Sequence, residues 1–390
     1  MNALGRAFAA PDAEDHCPPA SLQFSPIAVG TMPAVSLEDG SPWISEDLRR
    51  LLFGQPVGGL PFVRTYLVVD AAARSDVVGG FDLNSDLWNL PILSLFEGKA
   101  AKELADTAPY LIDVSLPGQE EEADHAIPVF HRDFFGQHWG RSTGVFLRSP
   151  APMELVRKHL RRFTRIVLPN GNWAYFRFFD PRVATSYFPA IAQKPEKIWQ
   201  WFTSHEGALI DAVVTELPDR RGQAGVIHSR LSRFHDRDAW LTGAWETESG
   251  LVFPVARNAP AATITQDRPS TAFRFDLGDY APLAAMVRKK RISGMVQRLK
   301  QDFDDQLRHH ADKNLFNMTW ASVERLEKLG FSRQDILYPL TAFELLYGAG
   351  YQNRDQTGAL ASILSSSLPE AERFSAYTSR LGAVFGRSDG

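Results

Sequence analysis

Phe176-Arg177-Phe178-Phe179-Asp180-Pro181-Arg182-Val183 follows the turn Asn170-Gly171 and the aromatic run Trp173-Ala174-Tyr175. An Asn-Gly pair supplies the positive φ angles of a tight hairpin turn. The spacing predicts a hairpin of residues 164–168 and 173–179, with Phe176 and Phe178 on one face of the second strand and Arg177 and Phe179 on the other. Pro181 cannot donate to a sheet ladder, so the strand is expected to stop there, with Asp180 and Arg182 pairing with each other or capping the next element.

Upstream of the hairpin, Leu155, Val156, His159, Leu160 and Phe163 recur at helical spacing over residues 153–163, with Arg157, Lys158, Arg161 and Arg162 on the other face. Residues 63–69 form an apolar, β-branched run that reads as a buried strand. Shorter strands are expected at 89–95 and 110–114, and a helix at 100–106. Strands and helices alternate, so this lobe should be a mixed sheet with helices packed on it. Residues 1–61 are dense in proline and read as an extended arm with one short helix at Glu46–Phe53. Residues 191–284 form a variable region: 198–202 and 208–215 suit helix or strand, and strands are expected at 225–230, 240–246 and 271–276. From Pro282 onward the pattern is helical. Ile292, Met295, Val296, Leu299, Phe303 and Leu307 make an amphipathic stripe, Trp320 to Leu329 continue it, and Ser332 with Asp335 resembles a capping box. A last helix is expected at 369–385. The expected class is α+β: an arm (1–61), an α/β domain with a central sheet (62–190), the variable region (191–284) and a helical lobe (285–390).

Composition narrows the field. The 390 residues are 44% apolar and 23% charged, ordinary for a soluble globular chain. A net charge of −4 and a pI near 6.2 give no global argument for nucleic acid or a membrane surface. The single cysteine, Cys17, excludes an internal disulfide framework and a cysteine-based zinc cluster. The N-terminal segment carries Asp12, Glu14 and Asp15 and no apolar core of a secretory signal, and no run approaches the ~20 apolar residues of a membrane span. A cytoplasmic protein is expected.

The run Arg177-Phe178-Phe179-Asp180-Pro181-Arg182-Val183 resembles the R-F/Y-x-D-P-R-V signature of the effector-adaptor (chaperone) family of the bacterial type VI secretion system. Other landmarks stand in the family's order. Tyr66-Leu67-Val68-Val69-Asp70-Ala71 resembles its opening strand, and Leu95-Phe96-Glu97-Gly98 the segment after it. Ala108-Pro109-Tyr110-Leu111-Ile112 resembles the second strand, and Trp139-Gly140 with Gly144-Val145-Phe146-Leu147-Arg148-Ser149 the third. His159-Leu160-Arg161-Arg162-Phe163 resembles the helix before the hairpin. The resemblance covers residues 60–190 and implies a binding protein rather than an enzyme, needing no cofactor. Its partners would be a secreted toxin (the effector) and a VgrG-type spike protein, with no membrane and no direct nucleic acid. It implies that Arg177, Asp180, Pro181 and Arg182, with Arg161 and Arg162, carry the family's signature, either by bracing the strand end or by meeting the partner.

Other constellations carry less. Gly140-Arg141-Ser142-Thr143-Gly144 fits G-x-S-x-G, but the strand comes after the motif instead of preceding it, so Ser142 reads as a turn residue and not a nucleophile. His131-Arg132-Asp133 lacks the partner motifs of a kinase. His125, His131, Asp133 and His138 offer metal-ligand chemistry at irregular spacing, and a metal-assisted hydrolase using His131, Asp133 and His138 is the alternative function. His309 and His310 are adjacent and cannot share a helix face. Arg288-Lys289-Lys290-Arg291 reads as a solvated helix face. Neither a Walker loop nor a dinucleotide fingerprint is present.

Overall fold

The computed structural model describes residues 20–33, 42–55, 62–75, 90–116, 127–204, 207–217, 220, 222–231, 244–246, 252–254 and 272–385. The chain divides into two units, Met1–Leu283 and Ala284–Gly390.

In the first unit β1 (Ala20–Ala28), α1 (Glu46–Phe53), β2 (Arg64–Asp70), α2 (Ala71–Ser75), β3 (Ile92–Ser94), α3 (Gly98–Glu103) and β4 (Pro109–Asp113) succeed one another. Next come α4 (Val129–Asp133), which continues as a π-helical turn over Phe134–His138, then β5 (Gly144–Ser149), α5 (Met153–Arg161), β6 (Arg165–Val167) and β7 (Trp173–Tyr175). The rest are α6 (Pro181–Ala190), α7 (Pro195–Phe202), β8 (Thr203–Ser204), β9 (Gly207–Ala208), β10 (Ala212–Glu216), β11 (Gln223–Leu231), β12 (Ala244–Glu246), β13 (Val252–Pro254) and β14 (Phe273–Arg274).

Seven strands form one sheet in the order β1-β11-β10-β5-β2-β4-β3. Every neighbouring pair is antiparallel. The α+β class holds, but the large sheet is not mixed, because hydrophobic period carries no information on strand direction. A parallel pair occurs in the small sheet β14-β6-β7, between β14 and β6.

Alternate residues of the large sheet enter two cores. Tyr66, Val68, Leu111, Val145, Leu147 and Val213 pack with Val156, Leu160, Tyr187 and Trp201 of α5, α6 and α7. Leu67, Val69, Ile112, Phe146 and Val214 pack on the opposite face with Leu48, Leu51 and Leu52 of α1 and Phe130 of α4. Because both faces are covered, the central strands read as continuous apolar runs even though they are antiparallel. Each such side chain contributes about 1.5–3 kcal/mol by leaving water. Trp201 anchors the first core, stacked on Phe163 with ring centroids 3.7 Å apart.

The proline-rich segment departs from its expected form. Residues 20–28 are a full sheet strand and not an extended arm, paired with β11 in register from Ala20–Leu231 to Ala28–Gln223. Pro26 is tolerated because β1 is an edge strand, where a missing N–H need not break a ladder. The expected helix at Glu46–Phe53 is present. Arg148, buried within β5, reaches its C-terminal end. The guanidinium donates to Leu52 O and Gly54 O and, at 2.6 Å, to Thr65 Oγ1. Burial lowers its pKa to about 9. The region expected to be variable supplies β10 and β11, which lie inside the large sheet.

Helix α8 (Leu277–Asp302) contains the boundary between the units, and α9 (Asp304–Leu307), α10 (Asp312–Lys328), α11 (Gln334–Tyr347), α12 (Ala359–Ser365) and α13 (Glu370–Phe385) come after it. The expected stripe forms the core of this second unit, where Ile292, Met295, Val296, Leu299 and Leu307 pack with Val323, Leu326, Leu337 and Tyr377. Ser332 does not cap α11. Its N–H and hydroxyl both engage Glu370 of α13, at 2.8 and 3.1 Å, and Asp335 pairs with Arg333. A carboxylate distant in sequence outcompetes the local capping box.

Candidate functional site

Strand β7 ends at Tyr175 and not at Phe179. Phe176, Phe178 and Phe179 are all buried, and the register of β7 with β6 ends at the pair Tyr175–Arg165. The backbone turns instead, with Asp180 N–H donating to Arg177 O at 2.9 Å. Asp180 then becomes the N-cap of α6, accepting the Arg182 N–H at 3.0 Å, and Pro181 takes the first helical position, where its missing donor costs nothing.

The signature residues form an ion-pair brace around that turn. Arg182 donates to Asp180 through Nε at 2.8 Å and Nη2 at 2.6 Å, a bidentate pair. Arg177 pairs with Asp70, at the end of β2, and lies 3.9 Å from Asp180. Asp70 also accepts the N–H groups of Ala72 at 3.0 Å and Ala73 at 3.3 Å, so one carboxylate starts α2 and holds the hairpin exit against the sheet. At the end of β10, Glu216 accepts the Ser142 N–H, with Gly140 N–H as a second donor. That bond supports the left-handed turn, where Gly140 has φ of 85° and Ser142 of 58°. Burial pushes the Glu216 carboxyl up to about 7, against the pull of those N–H donors. Asp70, Asp180 and Glu216 are buried, whereas the side chains of Arg177 and Arg182 are each 41% exposed, so the cluster presents cations to solvent. It holds together four of the sequence's candidates, Arg177, Asp180, Pro181 and Arg182, and adds Asp70 and Glu216, which no local pattern marked as site residues.

Arg161 and Arg162 serve other joints. Arg161 donates to Leu95 O at 3.1 Å and pairs with Glu97, and Arg157 joins it through Ser94 O at 2.7 Å and Glu97 at 3.2 Å. Together they clamp the Leu95-Phe96-Glu97-Gly98 segment onto α5. Arg162 reaches Gln200 O at 3.0 Å and His159 Nδ1 at 3.3 Å. With Nδ1 accepting, His159 Nε2 carries the proton and donates to Trp201 O at 2.7 Å. Burial, reinforced by Arg162, lowers the His159 pKa to about 3. In the second unit, Arg288 and Arg291 are not a free solvated face. Both pair with Glu327, and Arg288 also lies over Trp320 at 4.8 Å, while Lys289 and Lys290 are exposed.

Of the residues considered as metal ligands, His131 and His138 are core residues and Asp133 is half-buried. His131 is buried, with Nε2 2.8 Å from Val114 O, among the rings of Trp43, Phe53 and Phe130. Burial lowers its pKa to about 4. His138 stacks on Phe134, and Asp133 takes a hydrogen bond from Gln137. His125 lies outside the described residues. Among the described residues no group of His, Cys, Asp and Glu is placed to hold a metal. Ser142 sits in a turn with its N–H committed to Glu216.

Residues 65–197 match the model of a family described as Domain of unknown function (DUF4123). The match begins in β2, takes in the brace from Asp70 to Arg182, and ends in α7. No curated protein and no solved structure matches the chain. Among the described residues no helix is long and apolar enough to cross a membrane.

Proposed function

We propose that this protein is a cytoplasmic adaptor (chaperone) of the bacterial type VI secretion system. It binds a toxic effector, keeps it soluble and loads it onto a VgrG-type spike protein. The observation that carries this reading is the family match over residues 65–197, which contains the whole run of landmarks from Tyr66 to Val183. The site chemistry supports it. The charged cluster at the hairpin exit is committed to capping and pairing, with its cations outward, which suits a binding surface better than a reaction centre. Covering an aggregation-prone segment of the toxin stabilises the loadable state by mass action. Release then requires a polar-rimmed interface of moderate size instead of an obligate one.

The experiment is affinity purification of the tagged full chain from its native host under secretion-active conditions, with mass spectrometry of co-purifying proteins. A toxin-like protein and a spike protein in stable proportion are expected. A partnerless protein under those conditions overturns the reading.

A further inference from the structure

The hairpin of β6 and β7 leaves one edge of a sheet open. Phe176 N–H donates to Thr164 O at 3.0 Å and Leu168 N–H donates to Asn172 O at 2.8 Å, with Ala174 opposite Ile166 between them. In an antiparallel ladder such positions alternate with residues whose N–H and C=O point away from the partner strand. In β7 those residues are Trp173 and Tyr175. Because β7 is the last strand in the order β14-β6-β7, their backbone groups line the outer edge. The two side chains stand on the face opposite Ala174, 52% and 46% exposed. Arg165, directly across from Tyr175, lays its guanidinium over Trp173 at 4.4 Å, and Phe96 flanks Tyr175 at 5.8 Å.

The sequence that leads into and out of the hairpin is also cationic. Between Glu154 and Asp180 the chain carries Arg157, Lys158, Arg161, Arg162, Arg165 and Arg177 and not one carboxylate. Glu97 answers Arg157 and Arg161, and Asp70 answers Arg177. Among the described residues Lys158 and Arg165 have no ion pair, and both are exposed. An edge strand with unpaired backbone groups is a template for another strand. Positive charge beside it repels a second copy of the same edge and favours an acidic one.

We propose that the outer edge of β7 is the docking strip for an extended acidic segment of the cargo. That segment adds to the small sheet as a fourth strand, its backbone pairing with Trp173 and Tyr175 and its carboxylates meeting Arg165. The proposal rests on the adaptor reading for the identity of the cargo, and on the hairpin alone for the mode of binding.

The test uses the full chain with its co-purified effector. Hydrogen–deuterium exchange over residues 172–176 is expected to slow on effector binding, and Arg165→Glu, alone or with Trp173→Glu, to weaken the complex about tenfold or more with an unchanged melting temperature. An effector that binds while 172–176 exchange as before, or that binds both variants like the wild type, overturns the docking strip and leaves the adaptor reading standing. If no effector is recovered, the adaptor reading fails, and a short synthetic peptide alternating valine and glutamate tests the edge alone. It is expected to protect 172–176, while its valine–lysine counterpart does not. Equal binding of the two peptides, binding of neither, or protection by single-stranded oligothymidylate in their place overturns the proposal.

Discussion

Asp180→Ala separates bracing from recognition at the hairpin exit. Asp180 is buried, caps α6 through the Arg182 N–H at 3.0 Å, and takes the Arg182 guanidinium at 2.8 and 2.6 Å. Loss of an N-cap of this kind costs about 1 kcal/mol. The Arg182 side chain is 41% exposed, so solvent screens the ion pair, and about 0.5–1 kcal/mol is a fair measure of its worth. The sum, about 1.5–2 kcal/mol, corresponds to a melting temperature lower by about 4 °C for a unit of this size. Asp180→Asn keeps an oxygen that can cap and loses the charge, so it should cost only the pair, about 0.5–1 kcal/mol. Thermal unfolding monitored by near-ultraviolet circular dichroism reads both variants through the packing of Phe176, Phe178 and Phe179. Equal losses in the two variants would refute the capping role. An Asp180→Ala protein as stable as the wild type that no longer holds its cargo would refute the brace altogether and move Asp180 to the interface.

Three further outcomes are expected. The folded-state pKa values of His131 (about 4) and His159 (about 3) lie below the ordinary histidine value, so the unfolded chain binds more protons and stability falls as pH drops below about 6.5. Glu216, raised to about 7, acts in the opposite sense between about 4.5 and 7, where the folded state holds the proton, so urea midpoints of Glu216→Gln should fall more steeply on acidification than those of the wild type. Arg148→Leu should cost about 3–5 kcal/mol by leaving the carbonyls of Leu52 and Gly54 and the Thr65 hydroxyl without their buried donor, read as a lower denaturant midpoint at unchanged slope. Asp279→Ala should cost about 3 kcal/mol, because the fully buried Asp279 carboxylate holds Lys194 at 2.7 Å and Lys197 at 3.1 Å. Chemical denaturation measures it, and a loss below about 1 kcal/mol would refute that account.

Local features are legible in the sequence and distant pairings are not. The helix at Glu46–Phe53, the buried run that forms β2 and the stripe from Ile292 to Leu307 each announce themselves within a few turns of chain. The strand at Ala20–Ala28 does not, because prolines mask its pattern and its partner β11 lies some two hundred residues away. Phe176 to Phe179 reads as a strand because aromatics favour strands. Only in the fold does the Asp180 N–H bond to Arg177 O reveal the turn. At the site, Arg177, Asp180, Pro181 and Arg182 are visible as a motif, but their anchor is half hidden. Asp70 stands at the end of a conspicuous strand, yet its bond to Arg177 spans 107 positions. Glu216 gives no local sign at all, since its partners Gly140 and Ser142 belong to another strand's entry turn.

The sheet order separates what is recognisable from what can fold. The family match at 65–197 holds β5, β2, β4 and β3 but neither β10 nor β11, which close the other flank, nor β14, which pairs with β6. Cut out by itself, that segment would bare the backbone of Phe146 to Arg148 as a new sheet border and strip Glu216 from the turn at Gly140 and Ser142. Any heterologous fragment trimmed to the match is therefore a recipe for insolubility, and the flanking sequences are structural tenants of the same sheet.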